Sequence, residues 1–181
     1  DSDRNSMNDA FWASIGDEAA GILSQYIQID TTNPPGNERL AAEFLGDFLS
    51  DEAIPAATFR PSRDRANLLA TLEGDDSKPP VLLLHHMDVV SANAEQWNHD
   101  PFGGLVDDGQ VWGRGAIDDK SLGVMHLLSL ALLKRRGVRL KRNVMLLAVS
   151  DEERGGALGT KWMIDNNWNR VSSEYVWDEG G

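Results

Sequence analysis

Val81-Leu82-Leu83-Leu84-His85-His86-Met87-Asp88 follows Pro79-Pro80 and joins four consecutive aliphatic residues to a polar end. A strand covered on both faces carries a continuous apolar run in place of alternation, so the run predicts a core strand. Residues two apart in an extended backbone point to the same side. His86 and Asp88 are therefore expected to emerge together at the strand's carboxyl end, where open α/β sheets place their ligands. A carboxylate beside an imidazole can accept the N–H of the ring nitrogen that faces away from a metal, which fixes the tautomer. Taken alone, H-x-D reads more simply as a strand running into a polar loop, and only the residues further along can reverse that.

Composition narrows the classes. At 181 residues the chain is long enough for one domain with a substantial core. Its 41% apolar and 25% charged content is that of a soluble globular protein. Seventeen Lys and Arg against 29 Asp and Glu give a net charge of −12. No basic stripe interrupts that acidity, which excludes a nucleic-acid partner. Cysteine is absent, so disulfides, thiolate ligands and a Cys nucleophile are excluded, and any metal must be held by His, Asp and Glu. No apolar run approaches the ~20 residues of a membrane span, and no signal-like segment is present, so no membrane partner is expected. The compartment stays open between cytoplasmic and periplasmic or secreted.

Working outward from the core strand, residues 8–28 carry Phe11, Ile15, Ala19, Ile22, Leu23, Tyr26 and Ile27 at helical spacing, with Asn8 or Asp9 as cap. Thr31-Thr32-Asn33-Pro34-Pro35-Gly36-Asn37 breaks the chain, and a second amphipathic helix presents Leu40, Ala41, Phe44, Leu45, Phe48 and Leu49. Residues 56–61 and 66–73 are expected to be strands. Asp108-Gly109 between apolar flanks predicts a hairpin inside the long segment 91–117. The spacing then predicts a helix over 119–136, a second buried strand over 143–149, a short helix near 157–167 and a last strand at Tyr175-Val176-Trp177. Strand–helix–strand–helix–strand after residue 81 points to an α/β fold with a mostly parallel sheet flanked by helices.

Three strand candidates thus end in His86/Asp88, Glu152/Glu153 and Asp178/Glu179, and the acidic pair Asp118/Asp119 opens the longest of the later helices. One edge of a parallel sheet would gather them all. Singly, Glu152-Glu153 reads as a solvated pair, Asp118 as a helix N-cap and Asp178-Glu179 as surface. Jointly they favour a metal site, because converging carboxylates repel unless one or two divalent cations relieve them. Imidazole and carboxylates without thiolate accept Zn²⁺, and also Mn²⁺ or Co²⁺. Gly113-Arg114-Gly115 is a weak nucleotide-loop signal, and no G-x-S-x-G is present. Arg114 and Lys120 are expected to be structural, and the tryptophans mostly packing.

These residues also match a family. His86-Met87-Asp88-Val89-Val90, Trp97 with Asp100-Pro101-Phe102, Gly113-Arg114-Gly115-Ala116-Ile117-Asp118-Asp119-Lys120, Asp151-Glu152-Glu153 and Asp178-Glu179-Gly180 resemble the M20 metallopeptidases. Those dizinc hydrolases include glutamate carboxypeptidase, carboxypeptidase S and aminoacylase-1. The resemblance implies a zinc-exopeptidase-like three-layer catalytic domain. It further implies that His86 and Glu179 bind one zinc, Glu153 the other, and Asp118 both. Asp88 would orient His86. Glu152 would be the general base acting on a dimetal-activated water, with a C-terminal peptide bond or an N-acyl amino acid amide as substrate. Two departures stand out. His85 occupies a position where the family usually has Gly, with the H-x-D spacing favouring His86 as the ligand. The family's smaller dimerisation domain and its late His ligand have no counterpart, and neither His99 nor His126 matches that ligand. The chain is therefore expected to be the amino-terminal part of the catalytic domain. Homodimerisation would run only through the missing domain, and a chain without turnover that merely binds metal is the alternative.

Overall fold

The computed structural model describes residues 2–180. Two helices, α1 (Ser2–Ile27) and α2 (Glu38–Asp51), precede a hairpin of β1 (Ala56–Phe59) and β2 (Asn67–Leu72). The core strand β3 (Val81–His86) follows, then the small hairpin β4 (Leu105–Asp107) and β5 (Gln110–Trp112), and then α3 (Lys120–Arg135). The chain finishes with β6 (Val144–Val149), α4 (Thr160–Val171) and β7 (Tyr175–Trp177). The main sheet has the order β1-β2-β6-β3-β7. β3 pairs in parallel with β6 and β7, whereas β2 is antiparallel to both β1 and β6.

Strand parity sorts the core into two layers. Leu83, Leu146, Ala148, Leu68 and Ala70 face α1, α2 and α3, meeting Tyr26, Leu45, Leu49, Val124 and Leu127. The alternate residues Leu82, Leu84, Met145, Leu147 and Val149 face α4, meeting Met163 and Val171. The result is three layers, helix–sheet–helix, as expected for an α/β domain. β3 and β6 are adjacent, yet the helices that follow them lie on opposite faces. The chain therefore parts at the carboxyl ends of these two strands, leaving a crevice of the kind where α/β sheets bind ligands.

Several boundaries differ from the sequence reading. α1 begins before Asn8 and Asp9, so neither caps it; both are exposed positions within the helix. Helix α4 starts at Thr160 and runs to Val171, because Gly155 and Gly156 both take positive φ and hold the preceding segment in turns. β7 is not buried: it is an edge strand, and Trp177 is 66% exposed. Trp12, Trp112 and Trp168 are exposed as well, so packing does not account for most of the tryptophans. The β4–β5 turn fits its sequence closely, with Asp108 at φ 47° and Gly109 at φ 71° between Asp107 and Gln110.

Candidate metal centre

Register sets the site. His86 pairs with Val149, so β3 and β6 end at the same level and their following loops lie side by side. Leu83 pairs with Trp177, which carries Asp178 and Glu179 onward beside the end of β3. The third contributor is the turn before α3, where Lys120 anchors the backbone. Its ammonium is fully buried, donates to the carbonyls of Tyr26 (3.0 Å) and Ile29 (2.8 Å), and burial lowers its pKa to about 7. Arg114 lies over the Trp97 ring at 5.2 Å. Lys120 thus ties the turn before α3 to the end of α1.

His86 is the hub. Its Nδ1 lies 2.9 Å from the carbonyl of Asp88, which can only accept, so Nδ1 carries a proton. The other nitrogen, Nε2, then faces the crevice. It lies 2.9 Å from Asp118 Oδ1, 3.5 Å from Glu179 Oε1 and 3.8 Å from Glu152 Oε2. Donor atoms of His86, Asp118 and Glu153 lie within 4.8 Å of one another, as do those of His86, Asp119 and Glu179. All the acidic residues singled out from sequence are therefore gathered around one imidazole, across 94 positions of chain.

Electrostatics follow from that crowding. Burial opposes a charge on His86, but hydrogen bonding and attraction from Asp88, with Asp119 and Asp118 adding to it, raise its pKa to about 10. Burial, reinforced by Glu179 and Asp178, raises Asp119 to about 7 despite His86. Glu153 and Glu179 are both raised, by burial and then by the neighbouring carboxylates. Such a set of mutually repelling acids with one imidazole Nε2 fits divalent cations of the Zn²⁺, Co²⁺ or Mn²⁺ type.

One expectation is corrected. The N-cap position of α3 is Asp119, not Asp118, and its side chain makes no capping bond; Asp119 Oδ2 instead accepts from the backbone N–H of His86 at 3.3 Å. The Asp88 carboxylate lies 3.5 Å from His86 Nδ1, but its shorter contacts are elsewhere. It accepts from Asn33 Nδ2 (2.7 Å) and from the backbone N–H groups of Glu152 (3.0 Å) and Glu153 (3.2 Å). Its interaction with His86 first, and then the bonds from Asn33 and the Glu152 amide, outweigh the burial that opposes its charge and hold its pKa low. His85 points the other way, as the next residue in a strand must. It is fully buried, lies 3.3 Å from the Tyr26 hydroxyl, and burial lowers its pKa to about 3.

Sequence reading missed Asn33, Glu38, Arg65 and Asp151. The side chains of Arg65 and Glu38 pair at 2.6 Å beneath the crevice, and Arg65 also lies 3.1 Å from Asp151. No spacing pattern marks them, because they come from three separate loops and one helix start. Asn33, inside a Pro-Pro-Gly turn, and Asp151, next to Glu152-Glu153, lay in segments already singled out.

Comparison with known proteins agrees with this architecture. Residues 82–180 match the profile of Peptidase family M20/M25/M40. Pig (Sus scrofa) aminoacylase-1 is 29% identical over 162 residues, covering 88% of this chain and 40% of its own length. A probable carboxypeptidase S-like 2 of Dictyostelium discoideum is 36% identical over 111 residues, covering 59% of this chain and 21% of its own. The M20 family metallo-carboxypeptidase Sso-CP2 from Sulfolobus solfataricus superposes with a TM-score of 0.78 at 21% identity, covering 91% of this chain and 37% of that one. The chain thus spans less than half the length of these relatives, and its match over residues 82–180, more than half of its own length, places it in Peptidase family M20/M25/M40.

Proposed function

We propose that this chain contributes to a metal-dependent amidohydrolase that cleaves a C-terminal peptide bond or the amide of an N-acyl amino acid. The observation that carries the reading is the convergence of Asp118, Glu152 and Glu179 within 3.8 Å of His86 Nε2, with Glu153 in the same cluster. The substrate classes follow the names of the relatives, an aminoacylase and a carboxypeptidase.

In this reading His86, Asp118, Glu153 and Glu179 would hold the zinc ions. The bound cations supply a Lewis acid for the amide carbonyl and an activated water. The chain's own residues do the rest. Asp88 fixes the His86 tautomer through its backbone carbonyl, so that Nε2 is free as a ligand. Glu152 is not needed as a ligand and is about half exposed at the crevice. It takes the proton from water and delivers it to the leaving amine, the work of a general base that becomes a general acid. A metal-binding chain without turnover is the second reading, favoured because His86 is the only imidazole in the cluster among the described residues; His99 packs on Trp112 and His126 lies in α3.

Zinc stoichiometry and amidase assays separate the two. Two bound ions, with activity lost and metal retained in Glu152→Ala, support the enzyme. One ion or none, and no turnover of dipeptides or N-acetyl amino acids, supports the second reading.

A further inference from the structure

Beneath the crevice lies a buried polar chain whose members, Asp88 apart, the roles above do not use. Arg65 Nη2 donates to Glu38 Oε1 (2.8 Å) and Asp151 Oδ1 (3.1 Å), and Nη1 donates to the carbonyl of Pro35 (3.1 Å) and to Asn33 Oδ1 (3.4 Å). Asn33 Nδ2 in turn donates to Asp88 Oδ2 (2.7 Å) and Asp151 Oδ1 (3.1 Å). Asp88 finally accepts from the amides of Glu152 and Glu153. Asn33, Glu38, Arg65, Asp88 and Asp151 are all buried.

We propose that Arg65, with Glu38 and Asn33, is a positioning brace that holds the Glu152–Glu153 turn at the distance from His86 required for metal binding. The proposal rests on the metal-centre reading above. Fold stability alone does not account for such a brace: a buried guanidinium–carboxylate group is costly to desolvate, and apolar residues of equal volume are often at least as stable. What the group has instead is direction. Asp151 sits at φ 69°, a left-handed conformation that aims the next two residues back at the crevice. Its carboxylate is tied on one oxygen by Arg65 and Asn33 and on the other by the Leu158 amide (3.1 Å), while its own N–H donates to Glu38 Oε1 (3.3 Å). Arg65, Asn33 and Glu38 each thus make a hydrogen bond to Asp151, and Asn33 also reaches the amides of Glu152 and Glu153 through Asp88. Groups that orient metal ligands in this way commonly change metal affinity ~10–100-fold when lost.

The test uses the 181-residue chain and two variants. Glu38→Gln/Arg65→Met removes both members of the pair together, leaving Asp151 with Asn33 and the Leu158 amide as its remaining partners. Asn33→Ala cuts the link from Arg65 to Asp88 and leaves the ion pair intact, so it carries the test if the double variant does not fold. Amide hydrogen exchange in the metal-free protein should accelerate at least tenfold at Glu152 and Glu153, with Leu146 and Leu147 in β6 unchanged. Co²⁺ affinity, read from the visible absorption of the bound ion, should fall at least tenfold. Uniform acceleration across both pairs of amides, no acceleration, or unchanged Co²⁺ affinity overturns the proposal. Failure of the unsubstituted chain to bind Co²⁺ instead overturns the metal-centre reading, and the brace is then decided by the exchange data alone.

Discussion

His85 and His86 are consecutive, yet one strand step separates a neutral core residue from the hub of an acidic crevice. Parity accounts for it: His85 shares the face of Leu83 and meets Tyr26, while His86 shares the face of Leu84. A third imidazole makes the cost of burial measurable. His126 in α3 is 5% exposed, has no hydrogen-bond partner at either nitrogen among the described residues, and burial lowers its pKa to about 4. Between pH 4 and its ordinary value of 6.5, the unfolded chain binds a proton there that the folded chain does not. Stability from this group is complete above pH 6.5, is lost as pH falls towards 4, and changes no further below that, to a total of at most roughly 3 kcal/mol. His126→Leu should therefore flatten the fall in unfolding free energy between pH 6.5 and 4, measured by urea denaturation. An unchanged slope would mean that His126 is hydrated in solution. Asp88→Asn makes a different point at the same scale. It replaces an acceptor facing two backbone amides with a group half of which donates, so it should cost about 1–3 kcal/mol in the same assay. It should also weaken Zn²⁺ binding at least about tenfold, read by calorimetry.

Element packing can be tested by the sign of a glycine substitution. Gly123 lies where α3 crosses β3, and a Cβ there would come within 2.4 Å of the His85 ring, which is fully buried and has nowhere to move. Gly16 and Gly21 in α1 have nothing among the described residues within 4 Å of the same position. Alanine is favoured over glycine in a helix by up to ~1 kcal/mol. Gly16→Ala and Gly21→Ala should therefore raise the melting temperature, whereas Gly123→Ala should lower it, overpacking of ~1–3 kcal/mol less the helix gain leaving a net cost of up to ~2 kcal/mol. Gain at all three sites would show that α3 does not sit so close to β3. Legibility in sequence divides along the same lines. β3 and β6 were readable because burial on both faces leaves an unbroken apolar run, and α2 because only one face is buried. The antiparallel pairing of β1 and β2 was not, since alternation does not encode direction. Asp119 lies beside a readable residue, but its contact to the His86 amide depends on how the turn folds. Arg65 and Glu38 were invisible for a simpler reason: each finds its partner only after α2 and the 62–65 loop have packed.

Across the molecule, an excess of twelve negative charges is not spread evenly, because the carboxyl ends of β3, β6 and β7 bring Asp118, Asp119, Glu152, Glu153, Asp178 and Glu179 to one crevice. Without a cation that edge opposes folding: burial with mutual repulsion raises Glu153 and Glu179, and Asp119 reaches about 7. A divalent ion bound there adds its binding free energy to the folded state alone. At a free concentration one hundred times its dissociation constant, a single site contributes ~2.7 kcal/mol. A domain of this size gains ~2–4 °C per kcal/mol, so Zn²⁺ should raise the melting temperature by roughly 5–10 °C, and chelation should reverse it. Solvated carboxylates elsewhere on an acidic surface could also collect zinc, and substitution separates the two sources. Asp118→Asn with Glu153→Gln should abolish the shift while leaving the zinc-free melting temperature equal or higher, because two repelling charges have gone. A shift of the same size in that variant would assign the zinc to the general surface and remove the metal centre from the crevice.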